Sequence, residues 1–160
     1  GPILETLTSW SQLSGRRYHP VETLYTEDAE TLFIVMGSFA ETLAEAVKTM
    51  RDQGCKAGLV VLRLWRPFPF KDFLRAVAGA KKLIIIDRAL SPGGPGGPLA
   101  AEIRSALYNL ENRPQVYDYI AGLGGRDVTI EDYIYMHDTS TVQPSGYEIY
   151  GLQGDETTSA

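Results

Sequence analysis

Cysteine is almost missing from this sequence. Cys55 is the only one among 160 residues, so no disulfide can close within the chain and no cysteine cluster can hold zinc or an iron–sulfur centre. Histidine is nearly as scarce. His19 and His137 are the only two, far apart in sequence, and a histidine metal site would need carboxylates to complete it. Positive charge is not in excess either: 15 Lys and Arg stand against 20 Asp and Glu, a net charge of −5. That balance argues against a chain built chiefly to hold nucleic acid or an anionic membrane. No apolar run approaches the roughly 20 residues of a membrane span. No basic segment followed by an apolar run and a cleavage site opens the sequence, so the expected compartment is the cytoplasm.

What is present is the composition of an ordinary folded domain. Apolar residues make up 44% and charged residues 22%, and the length suits one domain with a real core. No internal repeat is visible. Residues 1–29 are mixed and polar, and they read as a linker or extension, with Ile3, Leu4 and Leu7 suggesting the end of a helix. Ordered core is expected from Glu30 to Met136, followed by an extended tail over 137–160.

Within that core, Leu32–Met36 is an apolar run without alternation, the pattern of a strand buried on both faces. Gly37 ends it. Ser38 and Glu41 have capping-box spacing at the start of a helix whose stripe is Leu43, Ala46, Val47 and Met50. Leu59–Leu62 predicts a second strand, continuing through Arg63-Leu64-Trp65 to the block at Arg66-Pro67-Phe68-Pro69. A short helix over Phe70–Val77 follows, with Phe70, Phe73, Leu74 and Val77 on one face. Leu83–Ile86 predicts a third strand ending at Asp87-Arg88. After the loop Ser91–Gly97, Pro98 opens a helix with a Leu99, Ile103, Ala106, Leu107, Leu110 stripe. Gln115–Ile120 predicts a fourth strand, polar enough to lie near an edge. Gly122–Asp127 reads as a turn, and Thr129 to Asp132 again has capping spacing before a helix to about Met136. Alternating strands and helices imply an α/β domain, a mostly parallel sheet with helices on both faces.

Few residues here suggest chemistry. The glycine-rich loop Ser91–Gly97 follows a buried strand and precedes a helix, where open α/β sheets bind ligands. It lacks the Lys-Ser/Thr ending of a P-loop, and its prolines remove amide donors. A rigid surface turn or partner contact therefore outweighs a phosphate cradle. Gly37-Ser38 is not a nucleophile elbow, because G-x-S-x-G is absent. Asp87-Arg88 stands at a strand's carboxyl end, where functional residues and local ion pairs are both common. His19, His137 and Cys55 have no evident catalytic partner. Six of the 9 tyrosines follow residue 115 (Tyr117, Tyr119, Tyr133, Tyr135, Tyr147 and Tyr150), either at an interface or covering this domain's own sheet.

An ordered set of segments carries a resemblance. Gly15-Arg16-Arg17-Tyr18 precedes Asp28-Ala29-Glu30. Met36-Gly37-Ser38, Arg63–Pro69, Ile86-Asp87-Arg88, Gly97-Pro98-Leu99 and Gly122–Thr129 then follow in turn. Together they resemble the carboxyl-terminal domain of the alpha subunit of 2-oxoacid:ferredoxin oxidoreductases, the family of pyruvate:ferredoxin oxidoreductase, over about Gly15 to Thr129. The resemblance implies a fold like the transketolase C-terminal domain. It implies an assembly that oxidatively decarboxylates a 2-oxoacid to acyl-CoA with electrons to ferredoxin. Thiamine diphosphate, magnesium, [4Fe–4S] clusters and coenzyme A belong to that assembly, and its thiamine-binding and iron–sulfur subunits would be the partners. In the family, thiamine diphosphate sits between domains this chain does not resemble. No catalytic, cofactor-binding or metal residue is carried over. The large domain that opens the usual alpha subunit has no counterpart in these residues, so either this is a piece of that subunit or the subunit is encoded in pieces.

The expected role is a non-catalytic structural or assembly domain. Alternatives are the equivalent domain of a transketolase or of a 2-oxoacid dehydrogenase beta chain, or a free-standing nucleotide- or anion-binding module. Candidate partner or ligand contacts are Asp87, Arg88, Ser91, Gly93, Gly94, Gly96, Gly97, Arg126, Tyr147 and Tyr150. Tyr147–Leu152 is expected to dock on a neighbouring domain or on this domain's flank, with Asp155–Ala160 mobile.

Overall fold

The computed structural model describes residues 1–140 and 146–152. In chain order the elements are α1 (Pro2–Ser14), β1 (Val21–Leu24), β2 (Thr31–Val35), α2 (Phe39–Asp52), β3 (Ala57–Leu62), α3 (Phe70–Ala76), β4 (Lys82–Asp87), α4 (Pro98–Leu107), β5 (Gln115–Ile120), α5 (Ile130–Thr139) and β6 (Glu148–Ile149). The strands form one sheet in the order β1-β3-β2-β4-β5-β6. All neighbours run parallel except β1, which is antiparallel to β3.

The apolar runs occupy the centre, as their lack of alternation requires. Every residue of β2 and β3 is buried, and Ile34 lies between Val60 and Ile85 in register. Side chains alternate across the sheet and so feed two cores. On one face Phe33, Val35, Ile84 and Ile86 pack with Leu43 and Val47 of α2 and with Tyr133 and Met136 of α5. On the other, Leu32, Ile34, Leu83 and Ile85 pack with Phe73 of α3 and with Leu99, Ile103 and Leu107 of α4. Each fully buried aliphatic side chain of this kind contributes roughly 1.5–3 kcal/mol.

Several local expectations need correction. Before Glu30, α1 carries Ile3, Leu4 and Leu7 in a helix as their spacing suggested, while β1 adds an unanticipated edge strand whose pairing continues as the Arg63 and Leu64 amides donate to the Pro20 carbonyl. β3 itself ends at Leu62 rather than Trp65. Ser38 does not cap α2. Its backbone is itself helical (φ −67°, ψ −19°), and its hydroxyl accepts a 3.0 Å bond from Arg88 Nη1 instead. Phe70, 52% exposed, leaves the α3 stripe to stack edge-on to Phe68. The α5 capping box does form, with the Asp132 amide donating to Thr129 Oγ1 and the Thr129 amide to Asp132 Oδ2. That helix runs three residues past Met136 and takes in His137.

The chain's end also departs from a bare extended tail. β6 adds a short parallel strand to β5, and the Tyr150 amide donates to the Ile120 carbonyl. Of the two docking alternatives, Tyr147–Leu152 takes the flank of its own domain. Asp155–Ala160 lie outside the described residues. Tyr117, Tyr119 and Tyr133 are buried in the core and so cover this domain's own sheet.

Candidate functional site

Ligands in open α/β sheets bind outside the carboxyl ends of the strands, where neighbouring connections depart in opposite directions. Here that place is between β2, which leads to β3 on one side, and β4, which leads to β5 on the other. The residues that arrive there are Gly37-Ser38 from β2 and Asp87-Arg88 from β4.

Arg88 closes the gap between the two strands. Its guanidinium donates to Ser38 Oγ and lies 4.6 Å from the Phe39 ring centroid, a cation–π distance. The ring in turn abuts Gly122, where an added Cβ would come within 2.6 Å of Phe39 Cζ. Gly122 also has φ +71°, so glycine is required there on both counts. Ser38 thus accepts from a cation and, among the described residues, hydrogen-bonds to no base, so the group is a brace rather than a nucleophile.

Asp87 turns the other way. It is buried, and its two carboxylate oxygens accept from the amides of Leu99 (3.1 Å) and Ala100 (3.0 Å) in the first turn of α4. Asp118 of β5 accepts the Gly97 amide at 2.8 Å, and Pro98 has no amide to offer. Two carboxylates from adjacent strands therefore take the free donors at which a phosphate would bind. Glycine is needed at the crossing: a Cβ on Gly97 would sit 2.0 Å from Asp87 Oδ2, and one on Gly96 2.3 Å from Asp118 Oδ2. Burial raises both carboxyl pKa values, Asp118 to about 6, although the amide bonds oppose the shift.

The glycine-rich loop is consequently half interior. The Ser91 amide donates to the Gly96 carbonyl and the Gly94 amide to the Ser91 carbonyl, which folds the loop on itself. Gly93 remains exposed and Gly94 half-buried, while Gly96 and Gly97 are buried. Gly96 also lies against Tyr147, and Arg104 of α4 links the Gly146 carbonyl at one end to Asp118, 3.8 Å away, at the other. A second tether follows along the chain. Arg126 donates to the Gly151 carbonyl, and the Tyr150 hydroxyl donates to Asp132 Oδ1 at 2.6 Å. Burial and the neighbouring carboxylate push the Tyr150 phenol up to about 12.

The sequence-predicted residues thus fall into three groups. Asp87, Gly96 and Gly97 form the α4 cap with Tyr147 against it. Arg126 and Tyr150 pin the last described segment. Arg88, Ser91, Gly93 and Gly94 line the exposed carboxyl edge. Sequence reading missed Asp118 and Arg104, which connect the first group to the tail. The available signal was an aspartate in the interior of an otherwise apolar and aromatic strand. His137 bonds Asp138 at 2.8 Å and packs near Phe33. Among the described residues no three of His, Cys, Asp and Glu converge as metal ligands, and no helix is long and apolar enough to cross a membrane.

Comparison with known proteins agrees with this fold. The chain is 44% identical over 119 residues to ketoisovalerate oxidoreductase subunit VorA of Pyrococcus horikoshii, covering 74% of this chain and 30% of that protein. It is 40% identical over 120 residues to pyruvate synthase subunit PorA of Methanothermobacter thermautotrophicus, covering 75% and 30%. The chain thus spans about a third of the length of these relatives. Among solved structures, its fold matches part of the 2-oxoglutarate:ferredoxin oxidoreductase of Magnetococcus marinus (TM-score 0.60, 24% identity, 80% of this chain and 20% of that one). It also matches a split-gene transketolase in an inactive beta4 tetramer (TM-score 0.56, 16% identity, 74% and 41%), which establishes the transketolase-like fold. The model of the pyruvate:ferredoxin oxidoreductase core domain II matches residues 29–133, more than half of the sequence, and the chain belongs to that family.

Proposed function

We propose that this chain is a non-catalytic assembly domain of a cytoplasmic 2-oxoacid:ferredoxin oxidoreductase, which converts a 2-oxoacid and coenzyme A to acyl-CoA and passes electrons to ferredoxin. The observation that carries this reading is the filled carboxyl edge. Family members of this kind align with the chain, yet at the place where an α/β domain would bind a ligand, Asp87 and Asp118 occupy the amides of α4 and Arg88 braces Ser38. The donor set does not fit the assembly's cofactors. One cysteine cannot ligate a [4Fe–4S] cluster, and a diphosphate approaching α4 would meet two carboxylates. Thiamine diphosphate, magnesium, the clusters and coenzyme A are accordingly assigned to thiamine-binding and iron–sulfur partners.

Co-purification from the native source tests the reading. The chain should come down with a thiamine-diphosphate-containing polypeptide and with iron–sulfur polypeptides. Recovery as a lone monomer would count decisively against it. Calorimetric titration of the isolated chain with ATP, NAD and coenzyme A should show no micromolar binding. Such binding would instead support a free-standing nucleotide module.

A further inference from the structure

The segment 146–152 lies along β5 as a strap. Its middle pairs in parallel with that strand, and the Tyr150 amide donates to the Ile120 carbonyl. Its leading end rests on the α4 cap. A Cβ on Gly96 would meet both Asp118 Oδ2, at 2.3 Å, and Tyr147 Cβ, at 3.1 Å, so a single glycine separates the strap from the buried carboxyl. Arg104 of α4 is shared between the two. Its Nη2 donates to the Gly146 carbonyl, while its Nη1 stands 3.8 Å from Asp118 Oδ2, outside hydrogen-bond distance. The guanidinium is therefore bonded to the strap and only faces the carboxyl. Asp87 of β4 is the other charged group that faces Asp118. Further along the strap stand Glu148, Asp132 and Arg126.

A negative charge on Asp118 works against this arrangement in two ways. It draws Arg104 inward, away from the Gly146 carbonyl. It also calls for hydration, which a seated Tyr147 limits. A neutral carboxyl does neither. We propose that the 146–152 strap is a proton-coupled latch, closed over the α4 cap while Asp118 is neutral and loosened when Asp118 ionises. The direction follows from linkage. Closure shields Asp118 from water and ties Arg104 to the strap, so the carboxyl holds its proton more tightly in the closed form than in the open one, and closing takes up a proton. Asp118 is pushed by burial to about 6, against 3.8 for an ordinary aspartate. The latch is therefore tightest below about pH 4, weakens between about 4 and 6, and stays constant above. The other anchors do not change charge across the upper part of that window: the Tyr150 phenol is pushed up to about 12, and Asp132 is held below the usual carboxylate range despite its burial, by the Thr129 amide and the Tyr150 hydroxyl.

Amide hydrogen exchange of the full chain, followed by NMR from pH 4.5 to 7.5 and expressed as protection factors, tests the latch. The Tyr150 amide reads the strap, and the Ile85 amide reads global unfolding. Wild-type protection at Tyr150 should fall by about tenfold as pH rises, within the roughly hundredfold that a shift of two units carries. In Asp118→Asn, whose side chain is neutral throughout, the fall should vanish. Arg104→Gln removes the charge that favours the ionised carboxyl, so the fall should persist with its midpoint moved to higher pH. A flat wild-type profile, or an equal fall in Asp118→Asn, overturns the proposal. So does exchange of Tyr150 at the Ile85 rate in every protein, because the segment would then open only with the whole domain. If Asp118→Asn does not fold, the Arg104→Gln midpoint decides, and an unmoved midpoint overturns the latch.

Discussion

At the scale of single residues, Asp118 sets the chemistry of the α4 cap. Its carboxyl is buried beside Asp87, and its pKa is about 6 against 3.8 in the unfolded chain. Below about pH 4 it is neutral in both states, and its burial carries no charge penalty. Between about 4 and 6 the unfolded chain has released the proton while the folded chain still holds it, so stability falls as pH rises and levels off above 6. The loss attributable to this group is about 2–3 kcal/mol. Asp118→Asn keeps an acceptor for the Gly97 amide and removes the titration. Urea unfolding at pH 4.5 and 7.5 should show the variant gaining on the wild type at the higher pH. Parallel profiles would mean that the Asp118 carboxyl is not desolvated. Gly97 tests the same cap by size. It has φ −73°, so alanine introduces no backbone strain, but the new Cβ overlaps the Asp87 carboxylate. Gly97→Ala should displace the cap and lower stability by about 1–3 kcal/mol, read as a fall in the melting midpoint. An unchanged midpoint would show that the two carboxylates do not hold α4.

Among the elements, β4 is the strand on which the architecture depends. It lies between β2 and β5, and Ile85 is fully buried between Ile34 and Asp118 in register. Ile85→Ala should destabilise by roughly 2–5 kcal/mol. A urea midpoint shift worth well under 1 kcal/mol would place β4 at an edge instead. Helix α5 offers a smaller test. Thr129→Ala removes one half of its capping box and should cost about 1 kcal/mol, measured in the same way. No loss would mean that packing of Tyr133 and Met136 alone starts the helix.

Across the whole molecule, the described tail segment behaves as a strap over the sheet edge. It is held by Arg104 at Gly146, by Glu148–Ile149 pairing with β5, by Tyr150 on Asp132 and by Arg126 at Gly151. Protease fragments of the isolated chain, sized by mass spectrometry, should show no early cut within residues 146–152. Arg104→Ala combined with Tyr150→Phe should open that segment to cleavage. Equal cleavage in both proteins would leave strand pairing and Arg126 as the anchors.

Composition and pattern determined a great deal of this by themselves. One cysteine excluded disulfides and clusters. Unalternating runs such as Leu83–Ile86 announced a sheet covered on both faces, because only complete burial leaves no solvent face to mark. Thr129 and Asp132 announced a helix start, because a cap acts within four residues. The ordered motif set pointed to the family. Tertiary structure alone decided what no local pattern encodes. Ser38 has cap spacing but is claimed by Arg88, 50 residues away, and the local rule gives way to a long-range donor. Val21–Leu24 become a strand only because β3 offers an edge. Asp118 is a polar residue in a strand whose burial makes sense only once the first turn of α4 is laid across it. The glycine-rich loop, read as a rigid surface turn or partner contact rather than a phosphate cradle, ends at Gly96 and Gly97 in a crossing point where side chains would collide with carboxylates. Its chemistry was settled by what the sheet brings beneath it, and a loop sequence cannot contain that information.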